Sequence, residues 1–267
     1  MVDPHNSEIN RLKQIVSELR GPGGCPWDQE QTMQSITPHI IEEAYELVDA
    51  IQADHTTDIQ EELGDVLLHI VMLCQMASES KKFEFEDVAK GSADKMVRRH
   101  PHVFGDKSAD TVEEVWENWD NIKSKEKAEA RLFDNIPKSL PSLLQAQKIQ
   151  KKAARVGFDW PDLEGPIDKI KEELKEFQDE LEKKEKDPQR LHEEYGDLLF
   201  SIVNVGRKIG INTEESLRDC NLRFWDRFYV MEDLIQTDQK EVSKMALEEL
   251  DSYWEKAKIQ NKIDESR

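Results

Sequence analysis

Nearly every segment of this 267-residue chain carries its apolar residues at the spacing of an amphipathic helix, and strand-like alternation is almost absent. Glycine and proline are scarce, with 11 and 10 residues. The breaks between the helical segments are GPGGCPWD (21–28), RRHPHVFGD (98–106), NIPKSLP (135–141) and GFDWPDLEGP (157–166). This pattern predicts an all-α protein.

The two halves of the chain carry four similar blocks in the same order. EEAYEL (42–47) matches EELKEF (172–177), EELGDVLLHIV (61–71) matches EEYGDLLFSIV (193–203), KMVRRHPHVF (95–104) matches RFWDRFYVME (223–232), and EEVWENWDNIK (113–123) matches EELDSYWEKAK (248–258). Four blocks in register predict an internal repeat. We therefore expect two helical-bundle domains, residues 1–133 and 134–267, with the proline-containing segment NIPKSLP as the hinge.

The charge and cysteine content exclude several classes of function. With 57 acidic and 37 basic residues the formal net charge is -20, which would repel duplex nucleic acid and anionic membranes. The three cysteines form no CxxC pair, which fits a reducing cytoplasm. The N-terminus has no apolar signal core, and the longest apolar run, VLLHIVMLC, is too short to span a bilayer. A cytoplasmic protein without nucleic-acid or membrane partners is expected.

Carboxylates border the apolar face of two consecutive helices in the first half. At about 100° per residue, Glu43 and Glu46 lie beside one face, and Glu62 and Asp65 lie beside the next. If the two helices pack antiparallel through these faces, the four carboxylates meet at one edge of the seam. The faces comprise Ile40, Ile41, Ala44, Leu47, Val48 and Ile51 in the first helix and Ile59, Leu63, Val66, Leu67 and Ile70 in the second.

Four ionised carboxylates in one place repel one another unless a cation joins them. Oxygen ligands, with no cysteine nearby and no histidine at ligand spacing, favour Mg²⁺ or Mn²⁺, and Mg²⁺ commonly shares its coordination with substrate phosphates. A single acid-x-x-acid pair in so acidic a chain would indicate only a solvated helix face. Two pairs in tandem, repeated in the second half, indicate a metal site. A di-iron bundle would need Glu-x-x-His, a spacing that the chain lacks.

EExxE (42–46) and ExxD (62–65), with GGCPWDQEQT before them and RRHPHVFGD after them, resemble the signature of the MazG-type nucleoside triphosphate pyrophosphohydrolases. The resemblance extends through the second half and so covers essentially the whole chain. It implies an all-α, intertwined homodimer in which helices of both subunits build the sites. It also implies Mg²⁺-dependent hydrolysis of nucleoside triphosphates to the monophosphate and pyrophosphate.

The resemblance assigns roles to the repeated carboxylates. Glu42 and Glu172, one residue before the first ligand of each set, become candidates to orient or deprotonate the attacking water. Bound metal ions would neutralise the triphosphate and lower the pKa of that water. The implied metal ligands are Glu43, Glu46, Glu62 and Asp65 in the first half, and Glu173, Glu176, Glu194 and Asp197 in the second.

Basic residues in the third block are candidates for phosphate binding. Lys95, Arg98 and Arg99 form a cluster in the first half that would bind phosphate or form a solvated helix end. At the aligned positions of the second half stand Arg223, Asp226 and Arg227, and Asp226 departs from the basic residue usual in the family. The departure predicts a weaker second site unless other cations compensate, and the flanking candidates are Lys169 and Arg190.

Trp119 and Trp254 occupy equivalent places in the last block, each with a lysine four residues on, Lys123 and Lys258. An indole there could stack on a nucleobase while the lysine reaches a phosphate. Alternatively, the tryptophans anchor a terminal helix to the core. The sequence is consistent with both interpretations.

The residues and the resemblance together predict a Mg²⁺-dependent nucleoside triphosphate pyrophosphohydrolase. A dUTPase-like or phosphoribosyl-ATP pyrophosphohydrolase-like activity would use the same carboxylates, but those enzymes are usually single-domain. An alternative of another class is a helical interaction or regulatory protein with reduced catalysis.

Overall fold

The computed structural model describes residues 7–106, 108–112, 114–115, 118–119, 122 and 131–264. Within those residues all regular structure is helical, so the predicted all-α fold is confirmed. None of the described helices is both long and apolar enough to cross a membrane.

The chain divides into two compact units, Met1–Ala128 and Glu129–Arg267. The boundary lies a few residues before the predicted one between 133 and 134. The described helices of the first unit are α1 (Glu8–Arg20), α2 (Pro26–Glu30), α3 (Met33–Gln52), α4 (Thr56–Glu79), α5 (Phe85–Arg99) and α6 (Pro101–Phe104). Those of the second are α7 (Ser142–Arg155), α8 (Glu164–Glu182), α9 (Pro188–Lys208), α10 (Thr213–Thr237), a 3₁₀ turn (Val242–Lys244) and α11 (Leu247–Asp264).

Local capping sets the starts of the helices that carry the carboxylates. Thr32 and Ser35 form a reciprocal capping box at the start of α3, where the Thr32 hydroxyl accepts a 3.1 Å hydrogen bond from the Ser35 amide. Asp187 caps α9 through the Gln189 amide, and Pro188 occupies its first position. Short connections follow α3 and α8, so each helix is followed by a neighbour running back along it.

Helix α4 is the centre of the first unit, because both α1 and α3 pack against it. The buried cluster between these helices consists of Val16, Ile36, Val71, Met72 and Met76. In the second unit α8 packs on α9, and α7 packs on α9 as well. A separate buried cluster joins α10 to α11 and contains Met231, Ile235, Tyr253 and Ala257.

The predicted apolar faces of α3 and α4 are buried only in part, which corrects the expectation that they close on each other. Five large residues of those faces are 38 to 55% exposed within the unit, although Ile40 and Leu68 pack against the core. A stripe of this width is broader than one neighbouring helix can cover. The exposed residues are Ile41, Ile51, Leu63, Leu67 and Ile70.

Candidate active site

Three carboxylates converge where α3 meets α4. Glu43 lies on α3, Glu62 and Asp65 lie one turn apart on α4, and one oxygen of each is within 4.8 Å of the others. Burial and the charges of Glu46, Glu43 and Asp65 raise the pKa of Glu62. One Glu62 oxygen is buried without a hydrogen-bond partner. A cation bound between these three carboxylates would offset their mutual repulsion and give the buried Glu62 oxygen a partner.

The second unit repeats this arrangement where α8 meets α9. Oxygens of Glu173, Glu194 and Asp197 lie within 4.8 Å of one another, and Glu173 and Glu194 are buried. Glu176 is close enough for an electrostatic effect, since burial and then the charges of Glu173 and Glu194 raise its pKa. Three of the four predicted ligands of each unit thus lie together across two helices, while Glu46 and Glu176 lie outside these close triplets of the described residues.

Two of the predicted cations contact the second cluster directly. Lys169 Nζ lies 2.5 Å from Glu173 and 3.0 Å from Glu172, and these hydrogen bonds raise the pKa of Lys169. Arg190 Nη2 donates to Glu194 at 2.5 Å. Both contacts span four residues of one helix, and they give two buried carboxylates a counter-charge.

The two candidates for orienting water lie at the edge of the clusters. Glu172 is exposed and accepts a hydrogen bond from Lys169 at 3.0 Å. Glu42 is exposed and lies 3.6 Å from a ring nitrogen of His39. Neither belongs to the close carboxylate triplets of the described residues, and their catalytic role stays a prediction.

A histidine that is not among the predicted site residues lies beside the first cluster. His69 Nε2 lies 3.6 Å from a Glu43 oxygen, and its ring stacks on His39 with centroids 6.1 Å apart. The signal was available, because His69 follows Glu62 by two helical turns and so shares its face of α4. Ser201 takes the aligned position in the second half.

The basic cluster of the first half lies on α5. Lys95 is half-buried and Arg98 is exposed. The Arg99 guanidinium lies 5.3 Å over the ring of Trp119, and His100 meets the same ring at 5.0 Å. Trp119 thus packs against the end of α5, whereas Lys123 is outside the described residues.

The corresponding residues of the second half lie on α10 and α11. Arg223 and Asp226 are exposed, and Arg227 is half-buried. Trp254 packs against the α10–α11 core and contacts the Phe224 ring at 5.0 Å, while Lys258 pairs with Glu255 at 2.6 Å. These contacts supply the packing role considered for Trp254, and its nucleotide-binding role stays a prediction.

A cavity of about 310 Å³ adjoins the second carboxylate cluster. The sequence pattern at GFDW (157–160) indicated only a break between helices, but this segment forms one wall of the cavity. The segment is fixed to α9, since Arg207 donates to Asp159 at 2.7 Å and Lys208 to the Trp160 carbonyl at 2.6 Å. The wall includes Glu173, Asp197 and Lys169 together with Gln150, Phe158, Asp159, Trp160, Phe200, Ser201, Asn204 and Arg207.

Both clusters have the donor set and spacing for a divalent cation. Oxygens on opposite sides of one Mg²⁺ are about 4.2 Å apart, from two bonds of about 2.1 Å, so the observed groups need little adjustment to share an ion. In the second unit an ion would replace the counter-charge of Lys169 and Arg190. The arrangement can therefore bind a cation next to a cavity with aromatic walls.

Comparison with known proteins is consistent with this chemistry. The model of the MazG nucleotide pyrophosphohydrolase domain matches residues 31–104. A nucleoside triphosphate pyrophosphohydrolase of Escherichia coli K12 is 43% identical over 258 residues, which cover 95% of this chain and 98% of the relative. The nucleoside triphosphate pyrophosphohydrolase/pyrophosphatase MazG of Thermotoga maritima is 45% identical over 252 residues, covering 94% and 95%. The YabN protein of Bacillus subtilis is 44% identical over 94% of this chain and 52% of its own length.

Proposed function

The chain belongs to the MazG family of nucleoside triphosphate pyrophosphohydrolases, and we propose that it converts nucleoside triphosphates to the monophosphate and pyrophosphate with Mg²⁺ as cofactor. The observation that supports this most strongly is the same carboxylate triplet in both units, each with oxygens within 4.8 Å. The names of the relatives support the activity. The donor set supports Mg²⁺, with Mn²⁺ as the alternative.

The proposed ligands are the four carboxylates of each unit. The first set is Glu43, Glu46, Glu62 and Asp65, and the second is Glu173, Glu176, Glu194 and Asp197. Mg²⁺ bound there would neutralise triphosphate charge and lower the pKa of a bound water. The orphaned Glu62 oxygen supports the first site, and the buried positions of Glu173 and Glu194 support the second.

The proposed roles of the remaining side chains follow from their contacts. Lys169 and Arg190 pair with Glu173 and Glu194, and with a cation bound to those carboxylates both side chains would be available for substrate phosphates. Glu172, hydrogen-bonded to Lys169, orients the water for attack at the α-phosphorus. Glu42 has the same proposed role in the first unit. The predicted phosphate contacts of Lys95, Arg98, Arg99, Arg223 and Arg227 belong to this proposal.

We favour the second unit as the main site of turnover, in spite of Asp226. Its carboxylates adjoin the 310 Å³ cavity, and two cations already contact them. A substrate-binding site needs such a concave, partly apolar volume with a few convergent polar groups.

The assembly and cellular location are further parts of the proposal. Exposed large apolar residues on α3 and α4, together with Leu174, Tyr195 and Leu199 on α8 and α9, support a homodimer that covers them. The described cysteines form no disulfide, which supports a cytoplasmic protein. The mass of the particle in solution at micromolar concentration tests the dimer, and a monomer would contradict it.

The test of function is pyrophosphate release from the common ribo- and deoxyribonucleoside triphosphates with Mg²⁺. Wild type is compared with Glu62→Gln and Glu194→Gln, which each remove one proposed ligand. The matched controls are Glu61→Gln and Glu193→Gln, since these exposed carboxylates stand directly beside the ligands.

Loss of activity in Glu194→Gln but not in Glu193→Gln is the expected result. If Glu62→Gln also loses part of the activity, both units turn over. Absence of pyrophosphate release by wild type from every nucleotide would refute the proposed function and favour a regulatory protein without catalysis.

A further inference from the structure

The wall of the cavity in the second unit contains a buried hydrogen-bond acceptor without a partner. Gln150, on α7, is 6% exposed and lies in this wall. Its Nε2 donates a 2.7 Å hydrogen bond to the backbone carbonyl of Phe200 on α9, and its Oε1 is buried with no hydrogen-bond partner in the structure. Because a carbonyl can only accept, the amide cannot be reversed, and its oxygen is the free end.

An unpaired buried acceptor is costly, and a ligand in the cavity that carries an N–H or O–H donor would satisfy it. The residues of the surrounding wall indicate which kind of ligand would fit the cavity. Phe158, Trp160 and Phe200 offer aromatic surface, and the segment that carries Trp160 is held to α9 by Lys208. A flat heteroaromatic ring with an N–H at its edge satisfies both features.

The cavity also lies at the correct place for one end of a nucleotide. Glu173 and Asp197 of the carboxylate cluster belong to the same wall as Gln150. Phe200, the hydrogen-bond partner of Gln150, follows Asp197 by three residues, or about 4.5 Å along the helix axis. A ligand whose phosphates lie at the carboxylates can therefore place its base beside Gln150.

We propose that this cavity is the nucleobase pocket of the second unit, and that Gln150 Oε1 accepts a hydrogen bond from a base N–H. The proposal rests on the proposed function for the phosphate end of the ligand. It makes Gln150 a specificity-determining residue: it requires a base that offers an N–H, such as the N6 amine of adenine or the N3 imide of uracil. A base without that donor gives the acceptor no hydrogen bond from the ligand.

The test compares two substrates with analogues that lack the donor. ATP is compared with purine riboside triphosphate, and UTP with N3-methyl-UTP. The proposal is judged on the pair whose parent nucleotide is hydrolysed faster. In wild type we expect kcat/KM to fall about tenfold or more for the analogue, mainly through KM, because a buried acceptor loses its partner. Equal kcat/KM for parent and analogue would overturn the proposal without the need for any variant.

Two glutamines of α7 then separate the pocket from general effects on the helix. Gln150→Met should reduce the discrimination to about twofold or less, since no acceptor remains to be left unpaired. Gln147→Met is the matched control, because Gln147 Nε2 also donates to a backbone carbonyl, that of Ile211 at 2.6 Å, and Gln147 is not among the residues of the cavity wall. The Gln147→Met variant should discriminate between parent nucleotide and analogue as strongly as wild type does. Full discrimination in a folded Gln150→Met protein would contradict the assignment.

A binding measurement distinguishes failure of this proposal from failure of the proposed function. Saturation-transfer NMR with adenosine and purine riboside, without Mg²⁺, needs no catalysis. If wild type hydrolyses nothing but binds adenosine in a manner that Gln150→Met weakens, the pocket stands and the proposed reaction is wrong. If neither nucleoside binds, and the kinetic comparison shows no discrimination, the pocket assignment is wrong.

Discussion

Replacing Lys169 by methionine is expected to destabilise the metal-free second unit and to make its stability depend on divalent cation. Lys169 contacts Glu173, which is 5% exposed, at 2.5 Å. Removing one partner of a fully buried pair costs about 3–5 kcal/mol. The Lys169 side chain is itself 37% exposed, so water can partly solvate the remaining carboxylate, and we expect a loss of about 1–2 kcal/mol.

A bound cation should reverse this loss. Mg²⁺ at a hundredfold excess over its Kd stabilises the folded state by about 2.7 kcal/mol, which exceeds the expected cost. The metal also no longer competes with the lysine ammonium for Glu173. The variant should therefore gain more stability from Mg²⁺ than wild type gains, while its hydrolytic activity falls because a proposed phosphate contact is lost.

Urea denaturation with and without Mg²⁺ measures the effect, and hydrogen exchange of residues 164–208 localises it to the second unit. Lys171→Met is the control, since Lys171 pairs with Asp168 at 2.8 Å while both side chains are more than half exposed. That exposed pair should contribute far less to stability than the contact between Lys169 and Glu173. Equal losses in the two variants, or no recovery of Lys169→Met with Mg²⁺, would refute the reasoning.

Four further outcomes are expected. Gly165→Ala places a Cβ 2.0 Å from Cδ1 of Trp160, so the indole in the cavity wall must move by about 1.5 Å. The KM for the best substrate should therefore rise about tenfold with little change in kcat. An unchanged KM would count against substrate binding in this cavity. Arg20→Met removes two hydrogen bonds to Glu79, at 2.8 and 2.9 Å, and should lower the free energy of unfolding by about 2–3 kcal/mol in urea titrations. The hydrogen bond from Arg20 lowers the pKa of Glu79 in the folded state. The stabilisation from this pair is therefore complete above the unfolded-state pKa of about 4.3 and is lost as the pH falls through the lower folded-state pKa. Glu79→Gln should weaken this acid dependence of stability, and an unaltered pH profile would contradict the prediction. Gly91→Ala adds a methyl group in open space on α5 and should raise the free energy of unfolding by about 0.5–1 kcal/mol, whereas a decrease would show an unseen contact.

Several features of the chain were predictable because they depend on local spacing. A period of 3.6 residues specifies a helix without reference to the rest of the molecule, and the all-α prediction is confirmed. Glu62 and Asp65 share a helix face for the same reason. The family resemblance is also confirmed by relatives that align along nearly the whole chain. The roles of individual site residues, the repeat and its boundary, the dimer and Mg²⁺ stay predictions.

Other features required the packing of distant segments. Periodicity predicted that Ile41 and Leu63 belong to apolar faces, yet burial depends on which neighbours arrive, and both stay exposed within the unit. The approach of His69 to Glu43 joins two helices, and the hydrogen bond of Gln150 to Phe200 joins residues 50 positions apart.

Residue spacing along the chain was enough to predict the helices, the paired carboxylates along each of them and the family. The meeting of carboxylates from two helices, and the cavity wall that GFDW forms beside the second set, depend on how the helices pack. The physical reason is the range of the interactions. Helix period and i,i+3 spacing act within one or two turns, whereas a cavity and an unpaired acceptor such as Gln150 exist only after α7, α8 and α9 have packed together.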